Sequence, residues 1–218
     1  MVESGFNAVF LIIAVLAALD YAFRHSWRLP SAERSATKTT ATVALLIWAA
    51  AQRVPEPVLL GLACSIFGDF AMSRRGTVWL TRAGFAFLVT QIFYMVAYSR
   101  FELQLDATIG PVLLLGLITT ASAYFLYGTS IHAARTAGVL HLVVILIQFV
   151  LTQMFTDASV LLAYAGILFL VSGHILGAEL AMLGPESPEL KWTGPIVYGT
   201  YFAAQICVVL AFSPFSLN

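Results

Sequence analysis

Long apolar runs, broken at intervals by short polar connectors, set the pattern of this chain. Eight runs can be marked off, at Gly5–Phe23, Thr37–Ala51, Pro57–Met72, Val78–Tyr98, Ile109–Tyr127, Ala134–Thr152, Ala158–Leu183 and Gly194–Phe212. A helix needs about 20 apolar residues to cross a hydrocarbon core about 30 Å thick. Thr37–Ala51 is short for that, and a longer helix would begin inside the polar run before it. The longest connector is RHSWRLPSAERSATK, and LGPESPELKWTGP is a second break, rich in Pro and Gly. No run alternates apolar and polar residues over the length of a transmembrane strand, so helices must satisfy the backbone in lipid. The pattern predicts an all-α fold: a polytopic membrane helix bundle of eight transmembrane helices, forming a single integral membrane domain over residues 1–218.

Composition agrees. Of the 218 residues, 60% are hydrophobic and 10% charged, with mean hydropathy +0.90, whereas a soluble domain carries about a quarter charged residues. Sixteen Phe and four Trp suit lipid-facing surfaces and interfacial belts. A net charge of zero removes any bulk electrostatic case for nucleic acid as a partner. Cys64 and Cys207 both fall in apolar runs, with no CxxC spacing. The start, MVESGFNAVF, lacks a basic n-region and a clear small-residue cleavage site, and reads as the first membrane helix, retained in the mature chain.

The connectors after the first, third, fifth and seventh runs hold Arg24, Arg28, Arg34, Lys38, Arg74, Arg75, Arg135 and Lys191, against Arg53 and Arg100 on the other side. By the positive-inside rule the first set faces the cytoplasm and both termini lie outside, in what is expected to be a bacterial inner membrane. Alternation of eight helices then puts Asp20, Asp69, His174, Glu179, Lys38, Arg82, His141, Tyr198 and Tyr201 in one half of the membrane, whichever way the chain is oriented. The opposite half is mostly apolar, with Gln91 and Gln205 near the middle.

An ionisable side chain at mid-bilayer costs about 2.5–3.5 kcal/mol on insertion scales. Asp69 is about 7 Å from Arg74 along a helix at 1.5 Å per residue, so its cost is partial. Asp69, Asp20 and Glu179 either snorkel to headgroups or line a polar pocket open to the cytoplasmic leaflet. Helical spacing favours the pocket. Ser65 and Asp69 share a face of the third helix, Gln91, Tyr94 and Tyr98 of the fourth, Ser172 and Glu179 of the seventh, and Tyr198, Tyr201 and Gln205 of the eighth. His141 and Gln148, seven apart on the sixth, read as a packing pair. GLACSIFGD (Gly61–Asp69) and GILFLVSGH (Gly166–His174) share the pattern G-x6-G-[DH], which would fit two four-helix halves related by an internal repeat. No metal-ligand spacing, serine-hydrolase elbow or nucleotide-binding glycine motif stands in the chain, and neither metal nor cofactor is expected.

The order of features resembles the YhhN-type integral membrane proteins, which include lysoplasmalogenases. The resemblance rests on KTTATVALLIWAA, GLACSIFGDFAM, RAGFAFLVTQIFYMVAY, GILFLVSGHILGAEL and YGTYFAAQICVVLAF, and covers nearly the whole chain. It implies hydrolysis of the vinyl-ether bond of lysoplasmalogens to a fatty aldehyde and a glycerophospho-base, and points to Lys38, Asp69, Tyr94, Tyr201 and Gln205. The chain departs from the family pattern at Gln91, where such proteins often show His, and at Gly173, where a second carboxylate follows Ser172.

Such cleavage protonates the β-carbon and captures the resulting oxocarbenium ion with water, so it needs a proton donor and a second group to steady the cation or activate water. Asp69 is the expected donor and His174 or Glu179 the expected second group. Tyr201 and Gln205 would orient water or the ether oxygen, with Gln91, Tyr94, Ser172 and Tyr198 beside them. Lys38 and Arg82 would hold a lipid phosphate. The expected partners are a lysoplasmalogen or lysophospholipid and the surrounding membrane lipid; no protein partner is legible. Two other functions compete: a lipid-binding or accessory membrane protein that has lost the second acid, and a small-solute or proton-coupled transporter. The apolar outer half argues against the transporter.

Overall fold

The computed structural model describes residues 2–102, 132–154 and 160–213, together with Gly110, Leu114, Gly116, Ile118 and Ala121. Helix α1 (Val2–Asp20) runs on through one π-helical turn, Tyr21–His25. There follow α2 (Ala32–Ala51), α3 (Glu56–Met72), α4 (Thr77–Tyr98), α5 (His132–Met154), α6 (Val160–Met182) and α7 (Leu190–Ala211). No strand occurs among the described residues. The expected helix at Ile109–Tyr127 lies outside them apart from five isolated helical positions.

Local chemistry explains the boundaries. The Ser31 hydroxyl caps α2 by accepting from the Arg34 amide at 3.1 Å, so the helix starts inside the polar run, six residues after Ser26 ends the π turn. Pro57 stands in the first turn of α3, where its missing N–H costs nothing. Gly76, at φ 99°, supplies the reversal before α4 that a side chain would resist.

Among the described residues, four helical stretches are long and apolar enough to cross a membrane: Ala8–His25, Thr77–Tyr98, Val160–Met182 and Leu190–Ala211, with mean hydropathy 1.7, 1.4, 2.0 and 1.5. The others fall short for physical reasons. Helix α2 opens on AERSATKTT, α3 has 17 residues, and the apolar part of α5 is confined to Val139–Met154.

Successive helices pack on one another from α1 to α7, and α7 returns to α1 and its π turn, closing a ring. The ring is inverted relative to a soluble protein. Val9, Ile12, Leu16, Leu19 and Phe23 form an exposed apolar stripe on α1, while Lys38, Thr42, Ser65, Asp69, Gln91, Gln148 and Gln205 are buried. Charges and amides buried within an apolar core, beneath an apolar exterior, suit hydrocarbon surroundings.

The shared glycine spacing has a packing origin. A Cβ on Gly61 or Gly68 would strike the rings of Tyr94 and Phe87 on α4, whereas one on Gly166 or Gly173 would press on Thr152 or Ile145 of α5. Helix α3 thus uses its glycines against the following helix and α6 against the preceding one. At all four positions the glycine permits close helix approach.

Candidate functional site

Asp69 is fully buried near the C-terminal end of α3. Its carboxylate is held from two other helices. On α2, Lys38 Nζ lies 3.3 Å from Oδ1 and the Thr42 hydroxyl donates to Oδ2 at 2.5 Å; on α7, the Tyr201 hydroxyl donates to Oδ2 at 3.2 Å. Lys38 is itself 7% exposed. Its ammonium sits 5.4 Å from the Tyr21 ring and 5.5 Å from the Tyr198 ring, and those two rings pack at a centroid distance of 4.3 Å. A buried charge persists when paired and hydrogen-bonded, and this one has a counter-charge, two hydroxyls and two ring faces around its partner.

Beside this cluster is a cavity of about 90 Å³, room for several waters. Its wall is drawn from many elements: Tyr21 from the π turn, Arg34 and Lys38 from α2, Phe87 and Gln91 from α4, His141 from α5, Ser172, Gly173 and Glu179 from α6, and Tyr198 and Tyr201 from α7. Four lining residues carry a buried polar atom without a hydrogen-bond partner among the described residues: Gln91 Oε1, His141 Nδ1, Glu179 Oε1 and Tyr198 OH. Such clustering is the mark of a site that a ligand or water completes. Tyr201 joins the two parts, since it lines the cavity and bonds Asp69.

Of the expected site residues, the structure therefore brings Lys38, Gln91, Ser172, Glu179, Tyr198 and Tyr201 to one cavity, with Asp69 immediately behind. Ser172 also donates to the Val197 carbonyl at 2.8 Å, tying α6 to α7. Tyr94 and Gln205 lie deeper, where the Tyr94 hydroxyl donates to Gln205 Oε1.

Tyr94 and Gln205 thus do not line the cavity, and Arg82 and His174 lie apart from both groups. Arg82 lines a separate apolar groove with Leu60, Cys64 and Phe85, its guanidinium 4.8 Å from the Trp79 ring centroid. His174 does not line the cavity, and its Nδ1 lies 2.7 Å from the Leu170 carbonyl of its own helix. Glu179 lines the cavity, but its polar neighbours are Thr193 and Arg34, so it does not stand with Asp69 as a carboxylate pair.

Sequence reasoning missed Thr42, Arg34, Tyr21 and the cavity position of His141. Arg34, Lys38 and Thr42 are spaced by four on α2, the signal used on the other helices, so two of these were findable. Tyr21 depends on the π turn, which no spacing announced. The opposite half is also less apolar than expected. Tyr98 and Gln148 are buried there, with the Gln148 amide donating to the Tyr98 hydroxyl at 2.8 Å, and Thr152 is 3% exposed. His141 and Gln148 consequently serve different places, cavity and core.

Fold and site together define an α-helical membrane protein with a buried acid–base cluster beside a cavity lined by polar and apolar side chains. The chain belongs to the YhhN family, whose model matches residues 33–212. No curated protein and no solved structure matches the chain.

Proposed function

We propose that this chain is a lysoplasmalogen hydrolase of eight membrane spans, with the cavity facing the cytoplasmic leaflet of a bacterial inner membrane and both termini on the opposite side. The observation that carries the reading is Asp69: fully buried, matched to Lys38, and linked to the cavity by the Tyr201 hydroxyl. Family membership supports the same chemistry by resemblance.

The vinyl ether would enter with its double bond at Tyr201 and its tail between helices. In the acid form of Asp69 the Tyr201–Asp69 hydrogen bond reverses, and the Tyr201 hydroxyl gives its proton to the β-carbon while taking one from Asp69. The C=C π pair forms the new C–H bond, leaving an oxocarbenium ion whose charge the Asp69 carboxylate faces. A cavity water adds to the cationic carbon and returns its proton through Tyr201 to Asp69. The hemiacetal then collapses to aldehyde and glycerophospho-base. His141 shares the Phe87 ring with Tyr201, at centroid distances of 6.0 Å and 5.5 Å, and with Gln91 and Tyr198 offers polar atoms to hold that water. The test is aldehyde release by purified protein from an alkenyl lysolipid in detergent. Turnover by the wild type and its loss in Asp69→Asn are expected; a fully active Asp69→Asn removes this mechanism.

A second reading, lipid binding without catalysis, is favoured by one observation. At Gly173, where the family pattern has a carboxylate, the cavity wall offers no side chain, and the neighbours of a Cβ there would be Ile145 and Leu142. Lysolipid that co-purifies and is never cleaved would support it.

A further inference from the structure

Arg34 and Glu179, groups of opposite sign, line one cavity without forming an ion pair among the described residues. Lys38 is already matched to Asp69 and flanked by Tyr21 and Tyr198. Arg34 is not matched. Its side chain donates to three neutral oxygens: the Tyr21 hydroxyl at 3.3 Å, the Arg28 carbonyl at 2.5 Å and the Ser26 carbonyl at 3.3 Å. A guanidinium has five N–H donors, so this one is oriented with donors to spare. Glu179 lines the same cavity with Oε1 unpartnered. Arg34 and Glu179 sense each other's charge, yet form no ion pair within 4.0 Å among the described residues. A fixed cation and an unpaired carboxylate on the wall of one small cavity are complementary to a zwitterion, one end anionic and able to take a guanidinium fork, the other a cation.

We propose that Arg34 and Glu179 read the lipid headgroup, Arg34 taking the phosphate and Glu179 the ammonium, and that they select ethanolamine over choline. This rests on the lysolipid reading above and adds the headgroup to it. The selectivity has one cause. A primary ammonium carries N–H donors for Glu179, whereas a quaternary ammonium has none and is held by aromatic faces. Of the aromatic rings at this cavity, Tyr21 and Tyr198 are already engaged by Lys38, and Phe87 and Phe169 pack against Tyr201.

Binding of saturated alkyl-ether lysolipids tests this without turnover, because they lack the double bond that is protonated. The full chain in detergent is titrated with the ethanolamine, choline and headgroup-free phosphate forms. The ethanolamine lipid is expected to bind about tenfold more tightly than the choline lipid, a difference of about 1.4 kcal/mol. Glu179→Gln should abolish that preference while retaining binding, and Arg34→Gln should weaken all three lipids by a similar factor, with Arg34→Lys recovering part. Equal wild-type affinities, or a preference that survives Glu179→Gln, overturn the proposal, as does the absence of any lysolipid binding. Selective binding with no aldehyde release from the alkenyl lipid keeps this inference and removes the hydrolase. Aldehyde release indifferent to headgroup does the reverse.

Discussion

Lys38 Nζ lies 3.3 Å from Asp69 Oδ1, with the two side chains 8% and 0% exposed. Removing one member of a buried pair strands the other charge, at a cost of about 3–5 kcal/mol, whereas replacing both with apolar groups is often neutral. Lys38→Met and Asp69→Asn are each expected to lower unfolding stability in detergent by about that amount. The double variant Lys38→Met/Asp69→Leu should recover most of it. Losses that simply add in the double variant would show that the pair is not coupled.

Thr42 differs from valine by one hydroxyl in place of a methyl, and that hydroxyl donates to Asp69 at 2.5 Å. Thr42→Val is expected to cost about 1–2 kcal/mol in stability. It should also change the kcat for aldehyde release more than the KM, because the bond acts on Asp69 and Thr42 does not line the cavity. A KM change alone would assign Thr42 to substrate binding.

The glycines offer a comparison within one protein. A Cβ on Gly61 would overlap the Tyr94 ring, while a Cβ on Gly199 meets nothing within 4 Å. Gly61→Ala is expected to destabilise by about 1–3 kcal/mol through overpacking, and to displace the Tyr94 hydroxyl from Gln205. Gly199→Ala, in the interior of α7, should be neutral or stabilise by up to about 1 kcal/mol. Thermal unfolding of the two variants in the same detergent decides the matter; equal destabilisation would contradict the packing at α3 and α4.

Gly173 marks where the family pattern places a carboxylate. A Cβ there would lie 3.0 Å from Ile145 Cδ1 and 3.2 Å from Leu142 Cδ2, both flexible side-chain ends able to give way. Gly173→Asp is therefore expected to fold and to place an acid on the cavity wall. If water activation limits turnover, aldehyde release should rise by roughly 10²-fold, the lower end of the general acid–base range. An unchanged rate in a folded variant would show that the chain does not depend on a second acid.

Much of the site was legible because helical spacing is local. Ser65 with Asp69, and Tyr198 with Tyr201 and Gln205, occupy shared faces whatever the neighbours are, and a polar face in lipid must turn inward. The same argument could not tell which inward-facing group meets which. Tyr94, Gln91 and Tyr98 share one face of α4, yet one bonds Gln205, one lines the cavity and one accepts from Gln148. Arg82 was expected at the phosphate because it lies at the right depth. Depth does not fix rotation about the helix axis, and rotation turns Arg82 to Trp79 and puts Arg34 on the cavity wall beside Lys38.

Composition and periodicity were enough to establish helices, an apolar exterior and the gathering of charge toward one side, because each follows from the cost of exposing backbone or charge to hydrocarbon, residue by residue. The pairing of Lys38 with Asp69, the separation of Glu179 from Asp69 and the π turn that brings Tyr21 over Lys38 were decided only when the ring of helices closed. Those relations depend on which helix neighbours which and at what rotation. That is set by the glycine contacts and interhelical bonds of the whole bundle, and no single segment carries the information.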